Sequence, residues 1–411
     1  MNIKVLEHQK IFISAEANEQ KKQISKKDAD YLRRIEKERN YGIFKWGRNY
    51  LTPQQWVGII STPDVTIEIL PKISNEENTD LIREKLIYML QVAYDIPIKN
   101  NINALVSFAK IGMLDILVSM FLRDLENQLR NGIYKRYQKR TKNLSTVKGS
   151  INFSKHINRN MLTEEKFYCT YSVFTENNII NQIIKYTLRK LERAVRHNSN
   201  RNWIKKLSPV FEEVNYSEFN LQQITDIQFD RNMARYRTII EYCKLFIEGL
   251  SAEMKSGEVK INFLLFDMNR LFEKFIFKAY KKIFGNKTTF QFSKYHLLRH
   301  DAIQKKIVLL RPDIVIQRDA DDRIIIDTKW KNSNGFADEK DLYQMNGYLS
   351  TIDKATEGIL LYPKSDSNDK MVGEYTFLNK DRNIKLKIRT VDLTLCSDNP
   401  SFYNYLMGLL D

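Results

Sequence analysis

Residues Ile307–Lys331 read IVLLRPDIVIQRDADDRIIIDTKWK. Two apolar, β-branched runs flank the acidic turn Asp319-Ala320-Asp321-Asp322, the pattern of two strands joined by a tight connection. Each run holds a carboxylate where a plain core strand would hold another Ile or Val: Asp313, after Pro312, and Asp327. Lys329 stands two residues beyond Asp327, so alternation at period 2 puts both on one face and turns Thr328 the other way. Two acids and a lysine on one hairpin are the parts needed to hold a divalent metal against a phosphodiester. Mg²⁺ needs only one or two carboxylates, with water and phosphate oxygens completing its shell. It lowers the pKa of bound water and neutralises charge on the phosphate, and a lysine is a compact cation suited to steady that charge. Asp-x-Lys alone is a common tripeptide of solvated strand ends. The paired contexts, Arg-Pro-Asp-Ile-Val and Ile-Ile-Asp-Thr-Lys-Trp-Lys, are what narrow the reading.

The stretch resembles the core of the PD-(D/E)xK nuclease superfamily, with Asp313 as the first acid and Asp327-Thr328-Lys329 as the second element. Upstream, Phe263 to Phe275 resembles the helix that brings an additional glutamate, here Glu273. A carboxylate among apolar residues is costly to bury unless it is paired or meets a metal. Downstream, Gln344-Met-Asn-Gly-Tyr348 is similar to the Gln-x-x-x-Tyr element of the RecB-like branch. With the block Val57-Gly-Ile-Ile and Ile67-Glu-Ile-Leu-Pro-Lys-Ile73, which by itself is only a β-hairpin, the chain more narrowly resembles the McrC family. These are nuclease subunits of McrBC modification-dependent restriction systems.

That resemblance implies an α/β (α+β) multidomain chain. A β-rich partner-docking domain would span 1–100 and a helical, basic region 101–255. A nuclease domain with a mixed central sheet flanked by helices would span 256–411. It implies Mg²⁺, with Mn²⁺ as a substitute, held by Asp313, Asp327 and Glu273. Lys329 would be the catalytic cation, and Gln344 would hold the site or the DNA backbone. It also implies a McrB-like AAA+ GTPase ring as partner, onto which residues before about 250 would dock and whose GTPase they would stimulate; a double-strand cut suggests two nuclease sites brought together, as dimerisation would do. No Gly-x-x-x-x-Gly-Lys-Ser/Thr loop occurs in the chain, so nucleotide hydrolysis is expected of the partner.

The rest of the sequence bounds the alternatives. A net charge of +16 over 411 residues points to a polyanionic partner, double-stranded DNA or RNA, more readily than to a membrane. From Asn127 to Thr163 there are nine Lys and Arg and no acid; Lys135, Arg136, Lys139, Arg140, Lys142 and Lys148 are the candidate phosphate contacts. Docking to an acidic protein surface would use the same run. Cys169, Cys243 and Cys396 have no metal-ligand spacing and form no disulfide framework, which suggests a reducing, cytoplasmic setting. No apolar run is long enough to span a bilayer. Period-3.6 patterns predict helices near 25–39, 78–94, 104–132, 177–197, 230–249 and 338–349, the first of them a solvated surface helix. A stand-alone repair or resolvase-type nuclease would explain the last third of the chain but not the 57–73 block. A non-catalytic DNA-binding scaffold would not need Asp313, Asp327 and Lys329 together.

Overall fold

The computed structural model describes residues 1–39, 42–73, 76, 78–98, 112–161, 165–250, 263–333, 335–378 and 384–411. Two compact units result, one from residues 1–117 and 252–411, the other from 118–251. The first part of the helix expected over 104–132 lies outside the described residues; Met113–Leu129 is helical.

In the first unit, a four-stranded sheet has the order Asn2–Leu6, Thr66–Leu70, Trp56–Ser61, Phe263–Asp267. The run Phe263–Asp267, read from sequence as the start of the Glu273 helix, is a strand. Its five residues pair antiparallel with Trp56–Ile60, and the helix begins only at Met268, where the Asp267 side chain accepts the Asn269 N–H at 2.9 Å as N-cap. Close pairing here needs Gly58. Its φ is +128°, and a Cβ on it would fall 2.0 Å from the Leu264 carbonyl oxygen. The glutamate in the same block, Glu68, is spent internally. Arg83 donates to both its oxygens, Nε to Oε1 at 2.8 Å and Nη2 to Oε2 at 2.7 Å.

A second four-stranded sheet (Gln23–Ser25, Ile11–Ser14, Tyr50–Pro53, Phe44–Trp46) shares a core with the first. The helix Lys26–Arg39 is not the solvated element its composition suggests. Ala29, Tyr31, Leu32 and Ile35 form a buried stripe in that core, and Glu36 accepts the Phe44 N–H at 2.6 Å. A narrow apolar stripe suffices when a sheet lies against it.

The third sheet is six-stranded and mixed, in the order Thr288–Phe290, Ile314–Asp319, Asp322–Thr328, Ala355–Pro363, Lys385–Val391, Gly373–Thr376. Its second and third strands form the expected antiparallel hairpin, with Ile314 opposite Ile326 and Ile316 opposite Ile324. Asp322–Thr328 then runs parallel to Ala355–Pro363. Ile324, Ile325 and Ile326 are all fully buried, so the sheet is covered on both faces. The helix Glu339–Thr351 supplies Met345, Tyr348 and Leu349 to one side. The helix Met268–Phe284 packs against Thr288–Phe290 and Asp322–Thr328.

The stretch from Ile307 is not one strand with the residues after Asp313. Lys305–Leu309 pairs instead with His296–His300 in a separate two-stranded ribbon, and the sheet strand starts at Ile314. Pro312 explains the break, since it lacks an N–H and restricts Arg311 before it.

In the second unit, Arg136–Leu144 and Phe167–Thr175 form a long antiparallel pair, with Ser150–Ile151 on the far edge of the latter. The helices Ile179–Ala194 and Arg237–Gly249 pack together. Asn178 caps the first, accepting the Asn181 N–H, and the side-chain amides of Asn178 and Asn181 both donate to the Tyr134 carbonyl, at 3.0 and 2.7 Å. Each of these asparagines is buried and its amide is used to tie the strand entry to the helix start.

Candidate active site

The open end of the hairpin brings Asp313 and Asp327 together, at the start of one strand and the end of the other. Asp313, just before its strand, accepts two hydrogen bonds at Oδ2, from the Thr328 N–H and the Thr328 hydroxyl, both at 2.8 Å. Thr328, set aside from the sequence as facing away, is therefore the residue that fixes the first acid. Asp327 is 2% exposed, and its Oδ2 lies 2.6 Å from Lys329 Nζ. The shared face inferred for this acid and this lysine is the one observed.

Lys329 also donates to Gln344 Oε1 at 2.9 Å. Gln344 in turn donates from Nε2 to the Tyr348 hydroxyl at 2.7 Å, and Tyr348 donates to the Arg311 carbonyl at 3.1 Å. The i,i+4 pair thus forms a relay of hydrogen bonds from the lysine to the backbone just before Asp313. A residue absent from the sequence reading belongs here as well. Asp341, one turn before Gln344, is buried; it lies 3.8 Å from Lys329 Nζ and 2.7 Å from Lys331 Nζ, and accepts from the Tyr362 hydroxyl at 2.9 Å. Its one signal in the sequence was an acid at i−3 to Gln344. Glu273 enters from the helix Met268–Phe284, where Gln291 Nε2 donates to its Oε1 at 3.0 Å.

These carboxylates sense one another. Burial pushes the Asp327 carboxyl well up from its ordinary range and the Asp313 charge adds to this, with Lys329 opposing. Burial raises Asp313 too, with Glu273 adding and the two Thr328 bonds opposing. Glu273 is raised by burial, eased by Gln291, and raised again by the Asp327 charge. Burial alone would lower Lys329, but the Asp327 charge and hydrogen bond overcome it and hold the ammonium protonated. Buried Asp327 and half-buried Asp313 and Glu273 offer a donor set of hard oxygens suited to a divalent cation, whose charge would favour their ionised forms. Among the described residues no three His, Cys, Asp or Glu side chains are already drawn together as a ligand shell. An ion that keeps several of its waters, as Mg²⁺ does, needs no such preformed shell.

The segment after Lys329 is anchored by a residue that sequence reasoning missed. Trp330 Nε1 donates to both carboxylate oxygens of Glu7, at 3.1 and 3.2 Å, and the Lys72 N–H donates to Oε2 at 3.2 Å. Burial pushes Glu7 up to about 8 despite these bonds. The folded state therefore holds this proton more tightly than the unfolded chain, and stability is lost as pH rises from about 4.5 toward 8. Glu7→Gln is expected to flatten that decline, by on the order of a few kcal/mol across the window. Thermal melts at pH 5 and pH 8 check it, and equal slopes in mutant and wild type would contradict it.

The six basic residues singled out from the sequence lie in the other unit. Arg136, Lys139, Arg140 and Lys142 stand on the strand Arg136–Leu144, all exposed except the half-buried Arg140. Lys135 is engaged by Glu176 at 3.4 Å, and Lys148 sits over the Tyr171 ring at 4.9 Å.

A mixed sheet carrying two acids and a lysine on one hairpin, with flanking helices adding Glu273 and Gln344, is the arrangement that the sequence leads one to expect of a restriction-endonuclease-like domain. The chain belongs to the McrBC 5-methylcytosine restriction system component family, whose sequence profile matches residues 51–363. It is 24% identical over 323 residues to the type IV methyl-directed restriction enzyme EcoKMcrBC of Escherichia coli K12, covering 73% of this chain and 88% of that protein. The fold is similar to that of a half-complex of Thermococcus gammatolerans McrB AAA+ hexamers with bound McrC. There the TM-score is 0.65 at 18% identity, over 100% of this chain and 99% of the other. A second structure, of the T. gammatolerans McrBC complex, matches 68% of this chain and 87% of its own with a TM-score of 0.50 at 19% identity. Among the described residues no helix is long and apolar enough to cross a membrane.

Proposed function

We propose that this chain is the DNA-cleaving subunit of its restriction system, hydrolysing phosphodiesters with a divalent cation, Mg²⁺ first and Mn²⁺ as a substitute. The observation that carries the reading is the placement of Asp313 and Asp327 at the paired ends of the hairpin, with Lys329 Nζ 2.6 Å from Asp327 and Glu273 near enough for its charge to act on Asp313. The three acids would hold the cation, which when bound supplies a more acidic water and neutralises charge on the phosphate. Lys329, held by Asp327 and Gln344, presents a fixed positive charge to the reacting phosphate. Thr328 keeps the Asp313 carboxylate turned inward, and Gln344 with Tyr348 keeps the lysine from swinging into solvent.

The partner follows from the relatives. McrC of T. gammatolerans is seen with McrB AAA+ hexamers, and the same partnership is proposed for this chain. The ring would hydrolyse GTP and move DNA while this chain cuts. The exposed cations of Arg136–Leu144 would contact double-stranded DNA. Activity of the chain with its AAA+ partner and GTP is expected in Mg²⁺ and in Mn²⁺ and to vanish in EDTA. Cutting that persists in EDTA would remove the metal from the account.

A further inference from the structure

The two-stranded ribbon His296–His300 and Lys305–Leu309 takes no part in the six-stranded sheet. Its root is fixed: the Leu310 N–H donates to the Tyr295 carbonyl at 2.9 Å, and the Tyr295 hydroxyl donates to Asp353 at 3.1 Å. Beyond the root it stands in solvent, and Leu298, Ile303 and Val308 are each more than half exposed, at 54%, 65% and 54%. Isolated two-stranded ribbons are marginal in water without a partner for a face.

Its charge pattern says which partner. Cross-strand neighbours are Arg299 with Lys306 and His300 with Lys305. Like charges placed directly opposite destabilise a strand pair, so this arrangement favours an anion lying across it. From Lys294 to Arg311 there are five Lys and Arg and one acid, Asp301. That acid does little to balance them: it lies 3.8 Å from Arg299 Nε, with the two side chains 90% and 60% exposed. A protein partner would be expected to meet a mixed-sign rim, whereas one sign with small apolar side chains suits a nucleic-acid groove.

Placement relates the ribbon to the chemistry. Its exit strand runs through Leu310 and Arg311 directly to Asp313, and the Arg311 carbonyl is the acceptor of the Tyr348 hydroxyl in the lysine relay. Alternation puts Arg299 and Lys306 on the same side as Leu297. Leu297 lies against Gly347 of the helix that carries Gln344. We infer that this ribbon is a DNA-binding element, with Arg299 and Lys306 on backbone phosphates flanking the bond to be cut and Ile303, at its turn, against the groove. The inference rests on the nuclease reading for its substrate, but it assigns a surface that reading does not use.

The test is binding of a short fluorescent duplex to the full chain, in EDTA so that no cutting intervenes, over a series of salt concentrations. Arg299→Glu with Lys306→Glu is expected to weaken binding by at least roughly tenfold and to lower the salt slope by about two. Because both residues are exposed, the melting temperature should stay unchanged. Should charge reversal disturb the fold, Arg299→Gln with Lys306→Gln gives the same direction with a smaller effect. Unchanged affinity and slope overturn the inference, as does a wild-type chain with no affinity for the duplex. A change in self-association without a change in DNA affinity would assign the ribbon to a second copy of the chain and also overturn it. Cleavage is read separately, so a chain that binds through the ribbon yet never cuts would defeat the nuclease reading and leave this one standing.

Discussion

Asp327→Ala is expected to reduce DNA cleavage by at least a hundredfold to a thousandfold, roughly the scale of removing one preorganised charge contact from a transition state. The folded chain should tolerate the change. Asp327 is 2% exposed, and both burial and the Asp313 charge disfavour its ionised form. Removing it relieves that repulsion, and Lys329 keeps Gln344 at 2.9 Å and Asp341 at 3.8 Å. Melting temperature and partner GTPase stimulation should therefore match wild type while cutting is lost. Cleavage at the wild-type rate would end the assignment of this residue, and with it the site. A mutant that loses GTPase stimulation as well would point to a structural defect.

The largest effect on stability is expected at Arg83. Its side chain is 1% exposed and is matched by Glu68, 9% exposed, through two hydrogen bonds, with Asp80 adding a third at 3.0 Å. Arg83→Ala strands the Glu68 carboxylate inside the first unit, and breaking a buried pair in this way costs about 3–5 kcal/mol. Replacing both partners at once with Met and Leu should recover most of that loss, because two apolar side chains leave no buried charge unpaired. Urea denaturation of the single and double variants measures it. Equal destabilisation in the two would mean that the pair's shape matters and its charge does not.

This pair also marks where sequence reading stops. The block Ile67-Glu-Ile-Leu-Pro-Lys72 carries the family resemblance, but nothing local says that its acid meets an arginine from the following helix and not a ligand. Features set by short-range geometry were legible. The hairpin registers Asp313 near Asp327, period 2 places Lys329 beside Asp327, and i,i+4 spacing joins Gln344 to Tyr348. Features set by distant partners were not. Phe263–Asp267 reads as the start of an apolar helix until Trp56–Ser61 is available to pair with it. The stripe of Tyr31, Leu32 and Ile35 looks too thin to bury until a sheet covers it. Glu7 meets Trp330 across 323 positions, and no spacing rule spans that distance. The role of Thr328 is hidden from the sequence for a different reason. Alternation describes a side chain inside a regular strand, whereas Asp313 precedes its strand and can reach the Thr328 hydroxyl at the end of the neighbouring one.

The most direct measurement is plasmid cleavage, with methylated and unmethylated DNA, by the purified chain alone and with its AAA+ partner, GTP and Mg²⁺. Cutting that requires partner, GTP and intact Asp327 is the result expected of a nuclease subunit governed by a translocating ring. Robust cutting by the chain alone, or cutting by the partner with Asp327→Ala, would contradict it.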